Sequence, residues 1–173
     1  MSRKITNSFF NFPTLKVARC LLGKFLCRRI GVKTISLMIT EVEAYDGFND
    51  KASHASRGKT ERNFVMFGPP GVWYVYFTYG MHWMLNIVVG PKDYPAAVLI
   101  RGVEGISGPA RLTKFFRIDE KFNNQPVVKK TGLWIEDRGV IIKPGKIKIG
   151  PRIGVSYAGP VWSKKKWRFY LYD

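Results

Sequence analysis

Two spacings of apolar residues organise the first part of the chain. After Thr14, which can cap a helix, apolar residues recur at helical spacing at Leu15, Ala18, Leu21, Leu22 and Phe25. Gly23 weakens the end of this helix, whose apolar face we expect to pack in the core. From Ile35 to Tyr45 the period changes to two, which predicts a strand. Alternation places on one strand face Ile35, Leu37, Ile39, Glu41, Glu43 and Tyr45.

The middle of the chain predicts a hairpin. Gly68-Pro69-Pro70-Gly71 precedes a run of β-forming residues from Val72 to Tyr79. Gly80-Met81 has the composition of a tight turn, and the return strand runs from His82 to Val89. The side chains of Tyr79 and Met81 should then be exposed at the tip, although a tip that folds back onto the core is the alternative.

The remaining elements are shorter. A strand from Ala96 to Arg101 ends its apolar run at an arginine, and Ser107-Gly108-Pro109 provides a cap and an early proline for a helix. Short strands are predicted at Leu133–Ile135, Val140–Ile142, Ile147–Ile149 and Arg168–Tyr172. We expect an α+β fold: residues 1–173 form a single mixed domain, with a curved antiparallel sheet, helices around it and a protruding hairpin.

The charge of the chain indicates a type of binding partner. The chain carries 29 Lys and Arg against 12 Asp and Glu, a net charge of +17, and its first 40 residues contain no acid. From Lys143 onwards the only acid is Asp173. A merely solubilising surface usually mixes both signs. The imbalance therefore indicates a polyanion, and nucleic acid first.

The cysteine and histidine content limits the chemistry. Cys20, Cys27, His54 and His82 are the whole inventory, which is too little for a disulfide framework or a metal-ligand cluster. The sequence shows neither a secretory h-region nor an apolar run that approaches the roughly 18 residues of a membrane span. We expect a cytoplasmic protein, nucleoid-associated if bacterial, that needs no metal and does not bind a membrane.

One carboxylate stands out by its position. Glu43 ends an apolar strand beside aromatic residues, where burial can raise the pKa of a carboxyl group that accepts a proton from water. Glu41 lies on the same predicted face, roughly 6.6 Å away along the strand, which suits a carboxylate pair for sugar hydrolysis. A solvent-facing strand edge explains the two glutamates equally well at this point.

Aromatic residues near the hairpin favour a nucleobase as ligand. Tyr74 and Tyr76 share a strand face and Tyr45 ends another strand, so these rings could stack on a base or simply pack in the core. An exposed apolar tip in a basic protein can act as a wedge between base steps. Wedge, stacking rings and carboxylate together suit an enzyme that flips a base out of DNA.

Many stretches in order along the chain carry a resemblance. They are Ala18-Arg19-Cys20-Leu21-Leu22-Gly23-Lys24, Thr40-Glu41-Val42-Glu43-Ala44-Tyr45, His54, Glu61-Arg62-Asn63, Met66-Phe67, Tyr74-Val75-Tyr76-Phe77-Thr78-Tyr79-Gly80-Met81, Asn86, Ala97-Val98-Leu99-Ile100-Arg101, Ser107-Gly108-Pro109, Arg152-Ile153-Gly154-Val155 and Arg168-Phe169-Tyr170. With these the chain resembles the 3-methyladenine (alkyladenine) DNA glycosylases, which excise alkylated and related purines. The resemblance covers nearly the whole sequence.

The resemblance implies a role for each site residue. Glu43 would be the general base, and Arg101 with the backbone carbonyl of Ile153 would hold its water. The residues around the flipped base would be Tyr45, His54, Tyr76 and Asn86, the last excluding normal guanine by crowding its amino group. Tyr79 would enter the minor groove with Met81 beside it. The implied enzyme is a monomer without cofactors that acts on double-stranded DNA and leaves an abasic site at 3-methyladenine, hypoxanthine or ethenoadenine.

One departure and several alternatives accompany this interpretation. Only Gly105 and Ile106 separate Glu104 from Ser107, where family members have a longer connection. A non-catalytic DNA- or RNA-binding module would also explain the charge, and a glycosidase would use Glu41 with Glu43. A lysine nucleophile that cuts the strand stays open. A zinc deaminase is disfavoured because Cys-x-x-Cys and His-x-Glu motifs are missing.

Overall fold

A computed structural model describes residues 3–171 and contains one antiparallel sheet. Its strands are β1 (Arg3–Lys4), β2 (Phe25–Ile30), β3 (Lys33–Asp46), β4 (Trp73–Thr78), β5 (His82–Val88), β6 (Ala96–Val103), β7 (Ile106–Ser107), β8 (Leu133–Asp137), β9 (Ile147–Gly150) and β10 (Arg168–Leu171). The order across the sheet is β1-β8-β2-β3-β6-β5-β4, while β7 extends β6 and β10 joins β3 to β9. The long strand β3 is therefore the element that touches most of the sheet.

Helices complete the α+β fold that the sequence predicts. They are α1 (Asn7–Phe10), α2 (Thr14–Leu21), α3 (Pro109–Phe115) and α4 (Gly159–Trp162), with 3-10 turns between the larger elements. Helix α2 packs on β3 and β6, and α3 packs on β5 and β6. Among residues 3–171, no helix combines the length and apolar character required to cross a membrane.

The two faces of the sheet have different surroundings: one contacts the helices and the other borders a cleft. One face packs against α2 and α3 and carries core residues such as Val42, Val75, Ile87 and Ile100. Residues one position along each strand point the other way because side chains alternate. Tyr45, Tyr74, Tyr76, Asn86 and Leu99 therefore line the opposite face, where a cleft opens.

A double register shift between β3 and β6 changes which face Glu43 occupies. Ile39 pairs with Val103 and Val42 pairs with Ile100, and both pairs belong to the core. Between them the register shifts twice, so that Thr40 and Arg101 have no partner in the β3–β6 ladder. The prediction that Ile39 and Glu43 share one face is wrong, because this irregularity reverses the alternation.

The boundaries of α2 also differ from the prediction. Pro13, not Thr14, precedes the helix, and the Thr14 hydroxyl donates instead to Asp46 Oδ1 at 2.6 Å. Gly23 has a left-handed φ of 82°, which ends the helix, so Phe25 begins β2 and does not continue the helix. Strand β2 had no prediction.

Later segments agree with the sequence except at one place. Residues 140–142 form no strand, because Gly139 turns the chain away with a φ of 77° and leaves Ile141 89% exposed. The third predicted strand continues two residues beyond Arg101 to Val103. The last strand occurs as predicted, although Tyr172 lies outside the described residues.

Candidate active site

A cleft of about 910 Å³ opens on the sheet face opposite the core. Its walls come from β3, β4, β5 and β6 and from two loops that hold His54 and Ile153. A second compartment of about 40 Å³ shares Tyr45, His54 and Tyr76 with the cleft and continues to Asn86. The cleft is large enough for a purine nucleoside, and its aromatic walls suit a flat ligand.

Glu43 lies directly behind this cleft with no solvent exposure. Its Oε2 accepts a hydrogen bond from the Tyr45 hydroxyl at 2.8 Å, and its Oε1 accepts one from the Ile153 backbone amide at 2.7 Å. Arg101 Nη1 lies 3.4 Å from Oε1. Burial raises the pKa of the Glu43 carboxyl, and Arg101 and the two hydrogen bonds oppose that rise.

The three partners of Glu43 form the wall between it and the cleft. Tyr45, Arg101 and Ile153 all line the cleft and all contact the carboxylate. Glu43 itself has no exposed surface, so these three contacting groups separate it from the space where a ligand would lie. The contact from Ile153 runs through its amide, whereas the resemblance implied a role for its carbonyl.

Glu41 is tied to two arginines instead of facing the cleft. Its Oε1 accepts from Arg168 Nε at 2.7 Å and from Arg101 Nε at 3.2 Å. Arg101 thus joins the two glutamates, because its other end reaches Glu43. Glu41 is not among the residues that line the cleft.

The predicted base-pocket residues come together on the cleft face. The rings of His54 and Tyr76 are 4.6 Å apart, centroid to centroid, at an interplanar angle of 70°. Burial, aided by the nearby Arg62, lowers the pKa of the His54 imidazole. Burial also raises the pKa of the Tyr45 and Tyr76 hydroxyls, so this wall is uncharged at neutral pH.

The hairpin tip is exposed as the sequence predicts. Tyr79 is 79% and Met81 is 67% exposed, which rules out a tip folded onto the core. Tyr79 has a positive φ of 53°, followed by Gly80 at 63°, and the Met81 amide closes the turn on the Thr78 carbonyl at 3.1 Å. Because Tyr79 also lines the cleft, the tip and the cleft form one continuous surface.

Comparison with known proteins assigns this arrangement to a family. The family model described as Methylpurine-DNA glycosylase (MPG) matches residues 8–107 and 104–173, which is nearly the whole chain. The chain belongs to the methylpurine-DNA glycosylase family. It is therefore a DNA glycosylase, a DNA repair enzyme that hydrolyses N-glycosyl bonds. The two matched segments overlap at residues 104–107, where the sequence predicts a shorter connection than in family members.

Curated relatives agree with the family model. A protein from Methanocella arvoryzae is 44% identical over 96% of this chain and 91% of its own length. One from Streptomyces avermitilis is 41% identical over 96% and 87%, and one from Legionella pneumophila strain Corby is 39% identical over 99% and 96%. Each is named "Putative 3-methyladenine DNA glycosylase".

In this glycosylase the connection between Glu104 and Ser107 is a tight turn. Glu104 and Gly105 link β6 to β7, with Val103 paired to Ile106, and Gly105 has a φ of 76°. The turn leads directly into α3, whose Pro109 lines the cleft. This region therefore contributes Pro109 to the cleft lining.

A buried ion pair behind the glycosylase cleft was missed in the sequence. The Arg152 guanidinium donates to both carboxylate oxygens of Asp50, at 2.6 and 2.8 Å, and to the Ala44 carbonyl at 2.9 Å. It also lies 4.8 Å from the Tyr45 ring centroid. Tyr45 and Ile153 are the two hydrogen-bond donors to Glu43. Arg152 packs against the Tyr45 ring and directly precedes Ile153 in the chain, so it supports both donors. Asp50 sits in a loop without periodicity, so no sequence signal marks it.

Tyr74 and Asn63 support the pocket from behind. The Tyr74 hydroxyl and His54 Nδ1 are 3.2 Å apart, and the Tyr74 carbonyl accepts from Asn86 Nδ2 at 3.2 Å. Asn63 Nδ2 donates to the His54 carbonyl at 3.1 Å. Tyr74 shared the predicted stacking face, but nothing in the sequence showed that it lies beneath His54 and Asn86.

No group of three potential metal-binding side chains occurs in the part of the chain that the structure describes.

Proposed function

We propose that this glycosylase flips a damaged purine out of duplex DNA into the cleft and hydrolyses its N-glycosidic bond with a water activated by Glu43. The observation that carries the proposal is a fully buried carboxylate, one layer behind an aromatic cleft, whose pKa is raised by burial. Alkylated purines of the 3-methyladenine type are the proposed substrates, with hypoxanthine and ethenoadenine as further candidates. The product is an abasic site in an uncut strand.

The uncharged pocket favours a purine over other ligands. Tyr45, His54 and Tyr76 offer ring faces and edges to a stacked base, and none carries a charge at neutral pH. Asn86 lies deeper, with its Nδ2 held by the Tyr74 carbonyl. An amide fixed at that depth would crowd the exocyclic amino group of an undamaged guanine, so exclusion contributes to selectivity.

The chemical step requires water next to the ionised Glu43. The Tyr45 hydroxyl is a neutral side-chain donor to Glu43 Oε2, and Tyr45 lines the cleft, so its displacement would give water access to Oε2. Glu43 takes a proton as the water oxygen bonds to the sugar C1′. The C1′–N bond breaks, and its electron pair leaves with the base. Arg101 and the backbone of Ile153 hold the water and the carboxylate in place.

Flipping is assigned to the exposed hairpin tip. Tyr79 would enter the minor groove and fill the space that the base vacates, with Met81 beside it in the groove. Lys51, Arg57 and Arg62 line the cleft and would contact phosphates of the damaged strand. A monomer would suffice, because a single chain provides the Tyr79 wedge, the base pocket and the general base Glu43.

The test is a panel of duplex oligonucleotides that contain single lesions. Wild-type protein should convert 3-methyladenine or hypoxanthine sites to alkali-labile sites, and Glu43→Gln should lose at least about 100-fold in single-turnover rate. Glu136→Gln is the matched control, because Glu136 also pairs with an arginine, Arg138, but lies on β8 away from the cleft. If wild-type protein leaves every lesion in place, the proposed substrates and mechanism are wrong.

The same assay separates the two mechanistic alternatives. A lysine nucleophile would give a covalent adduct with DNA upon borohydride treatment, and we expect none. A glycosidase that uses Glu41 as its acid would lose all activity in Glu41→Gln. Because Glu41 is held by two arginines outside the cleft lining, we expect a partial loss.

A further inference from the structure

Beyond Glu43 and Arg101, the site contains a row of charges of alternating sign. Arg168, Glu41, Arg101 and Glu43 follow one another, with contacts of 2.7, 3.2 and 3.4 Å. Their side chains are at most 21% exposed, so solvent screens these contacts less than surface ion pairs. Two arginines are thus balanced by two carboxylates at the back of the cleft.

The backbone is adapted to this row. Arg101 occupies the position that the register shift leaves unpaired in β6, and Glu41 faces Gly102 across the ladder. A Cβ atom at Gly102 would lie 3.3 Å from the Glu41 Cβ and 3.5 Å from its Oε2. The missing side chain gives Glu41 the room to lie beside both arginines.

Building on the function proposed above, we infer that Glu41 is a positioning residue: it aims Arg101 at Glu43 and offsets the positive charge of both arginines. Arg101 has one rigid guanidinium, so holding its Nε on Glu41 directs Nη1 to Glu43. Without Glu41, the positive charges of Arg101 and Arg168 would no longer be offset next to Glu43. The Glu43 carboxyl would then give up its proton more readily and would be a weaker general base.

The other groups around Glu43 do not provide this balance. Tyr45 and the Ile153 amide are neutral donors, and Tyr76 and Tyr157 are neutral neighbours. Arg152 is a further cation near Glu43, but its charge is already matched by Asp50. Removing the Glu41 carboxylate therefore leaves the positive charge of Arg101 less neutralised, and Arg101 acts directly on Glu43.

The experiment is the pH dependence of single-turnover excision from a duplex that contains 3-methyladenine. In the nucleotide this methylated base carries a positive charge, and it leaves as a neutral base without taking a proton, so the acid limb of the profile reports on Glu43. Glu41→Gln should move the acid limb down by about one pH unit and lower the plateau roughly tenfold. Arg168→Gln removes a cation, so it should move the limb in the opposite direction by a smaller amount.

Controls distinguish positioning from structure. Glu136→Gln, which disturbs a remote carboxylate–arginine pair, should leave the acid limb unchanged. Glu41→Asp keeps the charge with a shorter reach, so it should keep the wild-type limb with a reduced plateau, even if Glu41→Gln fails to fold. An acid limb that stays in place in the Glu41 and Arg168 variants, or moves the same way in both, overturns the inference.

A readout without substrate keeps the two proposals separate. Carboxyl-carbon NMR of Glu43 in the free protein should show the same opposite displacements of its titration in the two variants. If wild-type protein excises nothing, the proposed function fails, whereas this titration still tests the link between Glu41 and Glu43. If excision proceeds and the titration does not move, only the inference about Glu41 fails.

Discussion

At the scale of single residues, Glu43 combines a high cost with a specific purpose. A carboxylate without solvent exposure is expensive in its ionised form, which is why burial raises its pKa. The tyrosine hydroxyl, the backbone amide and the arginine recover part of that cost. A raised pKa also gives a stronger base, so in the proposed mechanism Glu43 trades stability for reactivity.

This trade predicts the stability of Glu43→Gln. The pKa of Glu43 is raised in the folded state, so its favourable contribution is full below the unfolded pKa and is lost as pH rises through the folded pKa. At neutral pH the variant should equal or exceed the wild type by about 1 kcal/mol in free energy of unfolding. Urea melts at acidic and neutral pH measure this, and a large loss in the variant at neutral pH would contradict it.

At the scale of elements, the register shift between β3 and β6 decides where the chemistry lies. Val42 and Ala44 enter the core, while Glu43 and Tyr45 turn to the cleft. In a regular strand that continued from Ile39, Glu43 would point into the core. The irregularity thus delivers both a glutamate and Arg101 to one site.

The sequence predicted those parts of the fold that repeat locally. Alternation located β3, runs of β-forming or apolar residues located β4 to β6, and a cap with an early proline located α3, each within a few residues. The register shift was not predictable, because it depends on which residues of β6 lie opposite β3. The same holds for Asp50 and Arg152, which are 102 residues apart and meet only in the folded chain.

The buried pair of Asp50 and Arg152 yields a stability prediction. In Asp50→Asn, the fully buried Arg152 guanidinium would face an uncharged partner. This variant should lose about 3–5 kcal/mol in free energy of unfolding. Glu136→Gln weakens the more exposed pair with Arg138 and should cost no more than about 1 kcal/mol. Chemical denaturation compares them, and equal losses would show that burial of the pair contributes nothing.

The hairpin tip between β4 and β5 yields a kinetic prediction. Tyr79→Ala removes the proposed wedge, so excision from duplex should slow by roughly 10- to 100-fold, because flipping loses a few kcal/mol of support. Excision from single-stranded DNA should change little. Val32→Ala at the turn between β2 and β3, where the side chain is also exposed, is the control. Equal slowing on both substrates would place Tyr79 in the chemical step.

At the scale of the whole molecule, the charge of +17 predicts how binding responds to salt. Phosphate contacts release counterions, so affinity for undamaged duplex should fall with salt at a slope of about −0.9 per contact. Lys51→Ala with Arg57→Ala, both on the cleft wall, should flatten that slope by about 2. Lys33→Ala with Lys130→Ala, at the far end of β3 from Glu43, should leave it unchanged. Fluorescence anisotropy from low to high salt measures the slopes.

The single layer of groups in front of Glu43 has a consequence for an enzyme that must inspect a great excess of healthy DNA. Tyr45, Arg101 and Ile153 contact the Glu43 carboxylate, which has no exposed surface, so under the proposed mechanism no water would be activated while the protein searches. Under the same proposal, reactivity would arise only when a flipped base rearranges these three groups. Accuracy would then come from a latent base as well as from a selective pocket.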